Sequence, residues 1–395
     1  MFVGTNFILV GLFAHNFPAL GFEWGRTFTG LESKNVELDC LHRGKPMCCS
    51  AITPRSKREL RATHNPHCLE SITYRQSRYE IEQFEKVDEL MRMNDLGQRK
   101  FALLDFIVSD EQIKKAKIWL AQVRTLMTKP GESGSLHDAK DYLSEFMHTR
   151  KCPGKKEEIW VEHIEPLSIH IRHPFAFETL DDFKHILKHD LSFKNAYKAL
   201  NISHVGLINN DHILLSPGHR RLGKKYMFDA GTSSFTSSLF WFVCGFGQMG
   251  INFDQIFGWE MTLLEPNSFW DEVPSAYKPL YHFYNVPVSG NSSHDNSPLK
   301  MIKQIATTHD FVAFKLDVDT PGVELPIAFE ILSDRHLNSF IDEFFFEFHF
   351  QDEFLAPPGE WNKLASYGNF SMTRKGIMNF FLDLRKTGVR AHYWP

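Results

Sequence analysis

From Lys224 onward the chain repeats one pattern: short apolar runs alternate with amphipathic stretches, and the runs end on acidic residues or glycine. Tyr226 to Phe228, Ile256 to Met261, Tyr281 to Val286, Phe311 to Leu316 and Ile341 to Phe348 read as strands. Ser234 to Phe246, Pro298 to Thr307, Ile327 to Leu332 and Thr373 to Lys386 read as helices, and Val389 to Tyr393 closes the chain. A strand that is apolar on both faces must be covered on both faces. Repeated β-α-β units therefore predict a mostly parallel sheet between two helical layers, an α/β doubly wound, Rossmann-like architecture.

The N-terminal part has a different character. Residues 31–70 are polar and broken by Pro46, Pro54 and Pro66, which predicts a poorly ordered lead. Helical spacing starts at Tyr79 with Ile81, Phe84, Val87, Leu90 and Met91, and recurs over Ile113 to Met127 and His137 to Met147. After Cys152-Pro153-Gly154, the stretch Glu158 to Ile171 alternates apolar and polar residues like a strand, and Val205 to Ile208 with Ile213 to Leu215 suggests a hairpin. The expected organisation is a lead over 1–70, a mainly helical extension over 71–153, and an α/β domain with a β-rich entry segment over 154–395.

Composition narrows the functional classes. The chain has 395 residues, of which 43% are hydrophobic and 23% charged, enough for a large core and incompatible with wholesale disorder. Its net charge of −4 provides no global basic field for nucleic acid. The 36 phenylalanines predict a Phe-packed interior. Cys40, Cys48, Cys49 and Cys68 lie among His42, His64 and His67, but their spacing fits no standard zinc site. They are expected to be free thiols, with Cys152 and Cys244 as filler, and no metal is assigned. Phe7 to Phe13 is apolar but lacks a basic residue ahead of it, so a signal peptide or anchor is the weaker expectation. No run reaches the ~18 apolar residues needed to span a bilayer. The compartment leans cytoplasmic, with the secretory pathway as the alternative. The sequons at Asn201, Asn291 and Asn369 matter only in that second case.

In an open parallel sheet, ligands bind beyond the carboxyl ends of the strands, where strand order reverses. The residues at those ends are the site candidates. The first strand delivers Asp229 and Gly231, the second Glu260, a later one Asp317 and Asp319, and the aromatic strand Glu347 and His349. Taken singly, these are a plain turn, a surface carboxylate, a helix cap and a core histidine. Their order (acidic-glycine turn, helix, acidic strand end, Asp-x-Asp strand end) points to a nucleoside-type ligand.

Three of these segments carry a resemblance to a known family. Phe228-Asp229-Ala230-Gly231, Lys315-Leu316-Asp317-Val318-Asp319 with Glu324-Leu325, and Glu347-Phe348-His349 resemble motifs of the FkbM-type class I S-adenosylmethionine-dependent methyltransferases, over roughly residues 205–395. Where the family usually has a second motif glycine, this chain has Ser233, Ser234 and Phe235. Ser233 fits close to a ligand and Phe235 must point away. The resemblance implies S-adenosyl-L-methionine as cofactor and O-methylation of a small hydroxylated acceptor, a sugar being the usual kind. It further implies that Glu260 holds the ribose and that Asp229, Gly231 and Ser233 flank the methionine end. Asp317 then lies nearest the methyl, and Asp317, Asp319 or His349 serves as base. Two other readings stand beside it. Asp317-Val318-Asp319 also has the form that holds Mn²⁺ or Mg²⁺ in nucleotide-sugar glycosyltransferases. A non-catalytic methyltransferase-like protein, binding a partner through its N-terminal half, is the third.

Overall fold

The computed structural model describes residues 68–107, scattered positions from 109 to 118, 139–169, 223–348 and 366–394. Residues 1–67 of the lead expected over 1–70, most of the helix over Ile113 to Met127, the hairpin over Val205 to Leu215, and His349 lie outside these residues.

The described chain opens with β1 (Leu69–Arg75), α1 (Arg78–Met91), α2 (Leu96–Ile107), the short α3 (Ala139–Tyr142), β2 (Ser144–Lys151) and β3 (Glu158–Ile164). Helix α1 starts at Ser77, whose hydroxyl accepts from the Glu80 N–H at 3.1 Å. The three strands form an antiparallel sheet in the order β1-β2-β3. This corrects two expectations. The helix expected over His137 to Met147 survives only as α3, because Ser144 onward pairs with strands on both sides. The boundary expected at Cys152-Pro153-Gly154 is the hairpin joining β2 to β3. The extension is mixed rather than mainly helical: Leu69–Arg75 is an almost fully exposed strand at the end of a polar stretch, without the alternation that would mark it. Cys152 is not filler, nor is Cys68 a free thiol; they form a disulfide across this sheet, with Cα atoms 4.1 Å apart.

The second part carries the expected α/β alternation. It runs β4 (Lys225–Ala230), a π-helical turn (Phe235–Leu239) leading into α4 (Phe240–Gln248), β5 (Gln255–Trp259), α5 (Pro266–Glu272) and β6 (Tyr281–Tyr284). It continues through α6 (Pro298–Ile305), β7 (Phe311–Leu316), α7 (Pro321–Ser333), α8 (Arg335–Asn338) and β8 (Glu343–Phe346). A small hairpin, β9 (Ser366–Tyr367) and β10 (Phe370–Ser371), precedes α9 (Arg374–Lys386) and β11 (Arg390–Tyr393). The six long-sheet strands lie in the order β11-β8-β7-β4-β5-β6, all parallel. Strand order reverses between β4 and β7, which makes the carboxyl ends of these two strands the place for a ligand.

Strand alternation sorts the phenylalanines between two layers. Phe228, Phe314, Phe344 and Phe346 pack on one face with Phe380 and Phe381 of α9. Phe311 and Phe345 pack on the other with Phe242 and Phe246 of α4. Among the described residues no helix is long and apolar enough to cross a membrane.

The N-terminal sheet meets the parallel sheet at β11 through buried charges. His392 lies between two carboxylates, Nδ1 at 2.9 Å from Glu165 and Nε2 at 2.6 Å from Glu343. Arg390 pairs with Glu343 at 2.7 Å and donates to the His163 carbonyl at 3.1 Å. Burial alone would push the His392 pKa down; Glu165 and Glu343 outweigh it and hold the pKa above the usual histidine range. A raised folded-state pKa gives stability that is fully present below the unfolded value of about 6.5 and is lost as pH climbs through the folded one. Urea unfolding at a series of pH values should therefore show stability falling above neutrality, with a shallower fall in His392→Gln. Parallel pH curves for the two proteins would remove His392 from the effect.

Candidate functional site

The register of the central strands builds the site. In the β4–β7 pairing, Asp229 is opposite Lys315. Along β4, Met227 and Asp229 share a face; along β7, Phe311, Ala313 and Lys315 share that same face. Two charged side chains are thus placed side by side in the apolar layer, one residue before each strand ends at the carboxyl edge. Lys315 and Asp229 are 1% and 0% exposed, with the ammonium 3.1 Å from Asp229 Oδ1. The same ammonium is 2.9 Å from Asp317 Oδ2 and donates to the Gly231 carbonyl at 3.3 Å.

Asp317 is the open end of this buried triad. Its Oδ2 also accepts from the Trp394 indole N–H at 3.1 Å. Burial pushes its carboxyl up, but Lys315, a hydrogen bond from Glu347 and the Trp394 donor together hold it below the usual range. Glu347 behaves oppositely. Burial, the bond to Asp317 and the negative charges of Asp317, Asp319 and Glu324 push it up to about 9. Their mutual hydrogen bond thus favours the charge on Asp317 and the neutral form of Glu347. Glu324, buried in α7, accepts from the Val318 N–H at 2.9 Å, and burial is the chief cause of its rise to about 8. Asp319 sits at φ 53°, the left-handed region, and among the described residues no other non-glycine has a positive φ. One carboxylate oxygen each from Asp317, Asp319 and Glu347 lies within 4.8 Å of the others.

Gly231 closes the turn after β4. Its φ is 96°, and a Cβ there would stand 1.5 Å from the Asp317 carbonyl oxygen. The obstacle is backbone, so it cannot rotate away. Gly231→Ala should separate the ends of β4 and β7. A fall in thermal midpoint together with loss of ligand binding is expected; wild-type values for both would show that the loop has room to relax. The Gly231 and Thr232 N–H groups both donate to the Trp259 carbonyl at 2.9 Å, so a ligand must draw its backbone donors from Ser233 onward. Ser233 is exposed, whereas Phe235 turns into the core against Tyr277 and Tyr281.

Glu260 follows β5, next to this turn. Its N–H donates to the Tyr284 carbonyl at 3.1 Å, and its Oε1 accepts from the Thr262 N–H at 2.6 Å. Asn285 braces the same loop by donating to the Glu260 carbonyl at 2.8 Å. The side chain is half-buried and held through Oε1, and Oε2 has no hydrogen-bond partner among the described residues.

The strand ends thus bring together Asp229, Gly231, Ser233, Glu260, Asp317 and Asp319. Sequence reasoning placed Glu347 at its strand end but gave it no role, and passed over Lys315 and Trp394 as site residues. Lys315 had a signal, a lone charge inside the apolar run Phe311–Leu316. Trp394 had none, since only tertiary packing carries it to Asp317. No protein-family model, curated protein or solved structure matches the chain.

Proposed function

We propose that this chain is an S-adenosyl-L-methionine-dependent methyltransferase that acts on a hydroxyl of a small acceptor, a carbohydrate being the favoured class. The observation that carries this reading is the switch-point arrangement: the Asp229–Gly231 turn lies between Glu260 at the β5 end and Asp317 at the β7 end. The residues present suit such a cofactor. Glu260 is fixed through one oxygen and offers the other as an acceptor for a ribose hydroxyl. The turn after β4 approaches the β7 end so closely that only glycine fits, and Ser233 adds a small exposed residue beside it.

When bound, the cofactor supplies an electrophilic methyl group, and the rest is placement. Lys315 keeps Asp317 ionised and pointed along the edge. Asp229 is fully buried and acts by holding Lys315. Asp317 can accept a hydrogen bond from an acceptor hydroxyl. Glu347, hydrogen-bonded to it, offers a nearby store for the proton released from that hydroxyl once it is itself ionised, toward its pKa of about 9.

Glu260→Ala is the direct test, read by isothermal titration with S-adenosylhomocysteine in metal-free buffer. Micromolar binding by the wild type and none by the folded variant is expected. Equal binding by both would take Glu260 out of the site.

A second reading draws on the clustering of Asp317, Asp319 and Glu347. One oxygen from each within 4.8 Å is a ligand set for Mn²⁺ or Mg²⁺, as in a nucleotide-sugar glycosyltransferase. That reading leaves Glu260 and the Gly231 turn without roles. Nucleotide-sugar binding that appears only with Mn²⁺ would favour it.

A further inference from the structure

We propose that Asn291 and Asn369 carry N-linked oligosaccharides, added as the chain enters the secretory pathway. Two independent observations converge on this. The first is the display of both acceptors. Asn291-Ser292-Ser293 and Asn369-Phe370-Ser371 have the Asn-x-Ser form, and both asparagines are exposed. Asn369 is the second residue of the two-residue turn between β9 and β10, where Gly368 at φ 56° takes the first turn position. The strands of that hairpin are anchored from below: Tyr367 and Phe370 lie on Phe329 of α7, at 5.4 and 5.0 Å between ring centroids. Asn291 lies in the loop after β6, held at Gly290, where a Cβ would come within 3.0 Å of the Val323 carbonyl oxygen. Its Oδ1 accepts from the Ser293 N–H at 3.0 Å. Among the described residues, the Nδ2 of neither asparagine makes a hydrogen bond. Both side chains can therefore carry a bulky hydrophilic chain without disturbing the core.

The second observation is the Cys68–Cys152 disulfide. Disulfides of this structural kind form in oxidising compartments and are rare where glutathione keeps thiols reduced. That compartment is also where N-glycosylation takes place, so the bond and the two sequons ask for the same route. This reverses the cytoplasmic lean of the sequence reading. In the modification, the Asn Nδ2 attacks the anomeric carbon of an oligosaccharide carried on a lipid diphosphate. The C–N bond forms, the C–O bond to the diphosphate breaks, the amide proton passes to a base of the host transferase, and the lipid diphosphate leaves.

The test uses the full chain with its own N-terminus, expressed in animal cells in an Asn201→Gln background so that only these two sites are read. Two stepwise electrophoretic shifts that collapse with peptide N-glycosidase are expected, one missing in Asn291→Gln, one in Asn369→Gln and both in the double variant. Mass mapping without reductant should recover Cys68 and Cys152 as one cross-linked peptide pair. Protein whose Asn291 and Asn369 peptides are unmodified, wherever in the cell it accumulates, overturns the proposal. So does recovery of Cys68 and Cys152 as free thiols.

Discussion

Replacing Lys315 with methionine should lower the unfolding free energy by about 3–5 kcal/mol, the usual effect of removing one partner from a buried ion pair. The ammonium is 1% exposed and answers two carboxylates, one of them, on Asp229, with no exposure at all. Methionine fills similar volume, so the loss reports charge rather than a cavity. Lys315 helps hold the Asp317 carboxyl below the usual range, so without it that carboxyl rises and the variant's deficit should shrink as pH falls toward the carboxylate range. Adding Asp229→Asn should return part of the loss, because it removes the charge left stranded. Urea unfolding of the four proteins of this cycle measures the coupling. A loss under about 1 kcal/mol with no coupling would mean that water reaches the triad and that it behaves as a surface pair.

The same residues show what the chain declares and what it hides. The parallel sheet was legible because strands buried on both faces have to be continuously apolar, and Phe311–Leu316 and Thr373 with Arg374–Lys386 are found where the pattern puts them. The strand-end carboxylates were legible for the same reason, since a polar residue ending an apolar run marks an edge. The partnerships were not. That Asp229 faces Lys315 depends on the pairing of β4 with β7, strands more than eighty residues apart. That the Glu347 carboxyl is pushed up depends on its burial and on Asp317 beside it. The N-terminal sheet was the largest omission: of its strands only β3 was legible, within the alternating stretch that starts at Glu158. Its strands are rich in polar residues, and β2 contains Ser-Glu-Phe-Met-His, which suits a helix until partners on both sides decide otherwise.

How tightly that sheet belongs to the domain can be measured at Arg385. This side chain, fully buried at the end of α9, donates from Nε to the Ala391 carbonyl at 2.9 Å and from Nη2 to Glu165 Oε1 at 2.7 Å. Its Nη1 donates to the Glu165 carbonyl at 2.7 Å and the Tyr74 hydroxyl at 2.9 Å, with Glu80 at 3.6 Å. One guanidinium therefore ties β1, α1 and the segment after β3 to β11, the edge strand of the parallel sheet. Arg385→Met would leave Glu80 and Glu165 buried with less positive charge, a change expected to cost about 3–5 kcal/mol. Because the broken contacts lie between the two sheets, amide exchange in β1, β2 and β3 should accelerate more than in β4 and β7. S-adenosylhomocysteine binding by the folded fraction should be retained, since Glu260 and the Gly231 turn lie at the switch point and not at this edge. Uniform acceleration across both sheets would mean that they open as one cooperative unit, with Arg385 adding only to the total. Selective opening would mean that the N-terminal strands form a separately stabilised cover, one whose release leaves the switch-point residues in place.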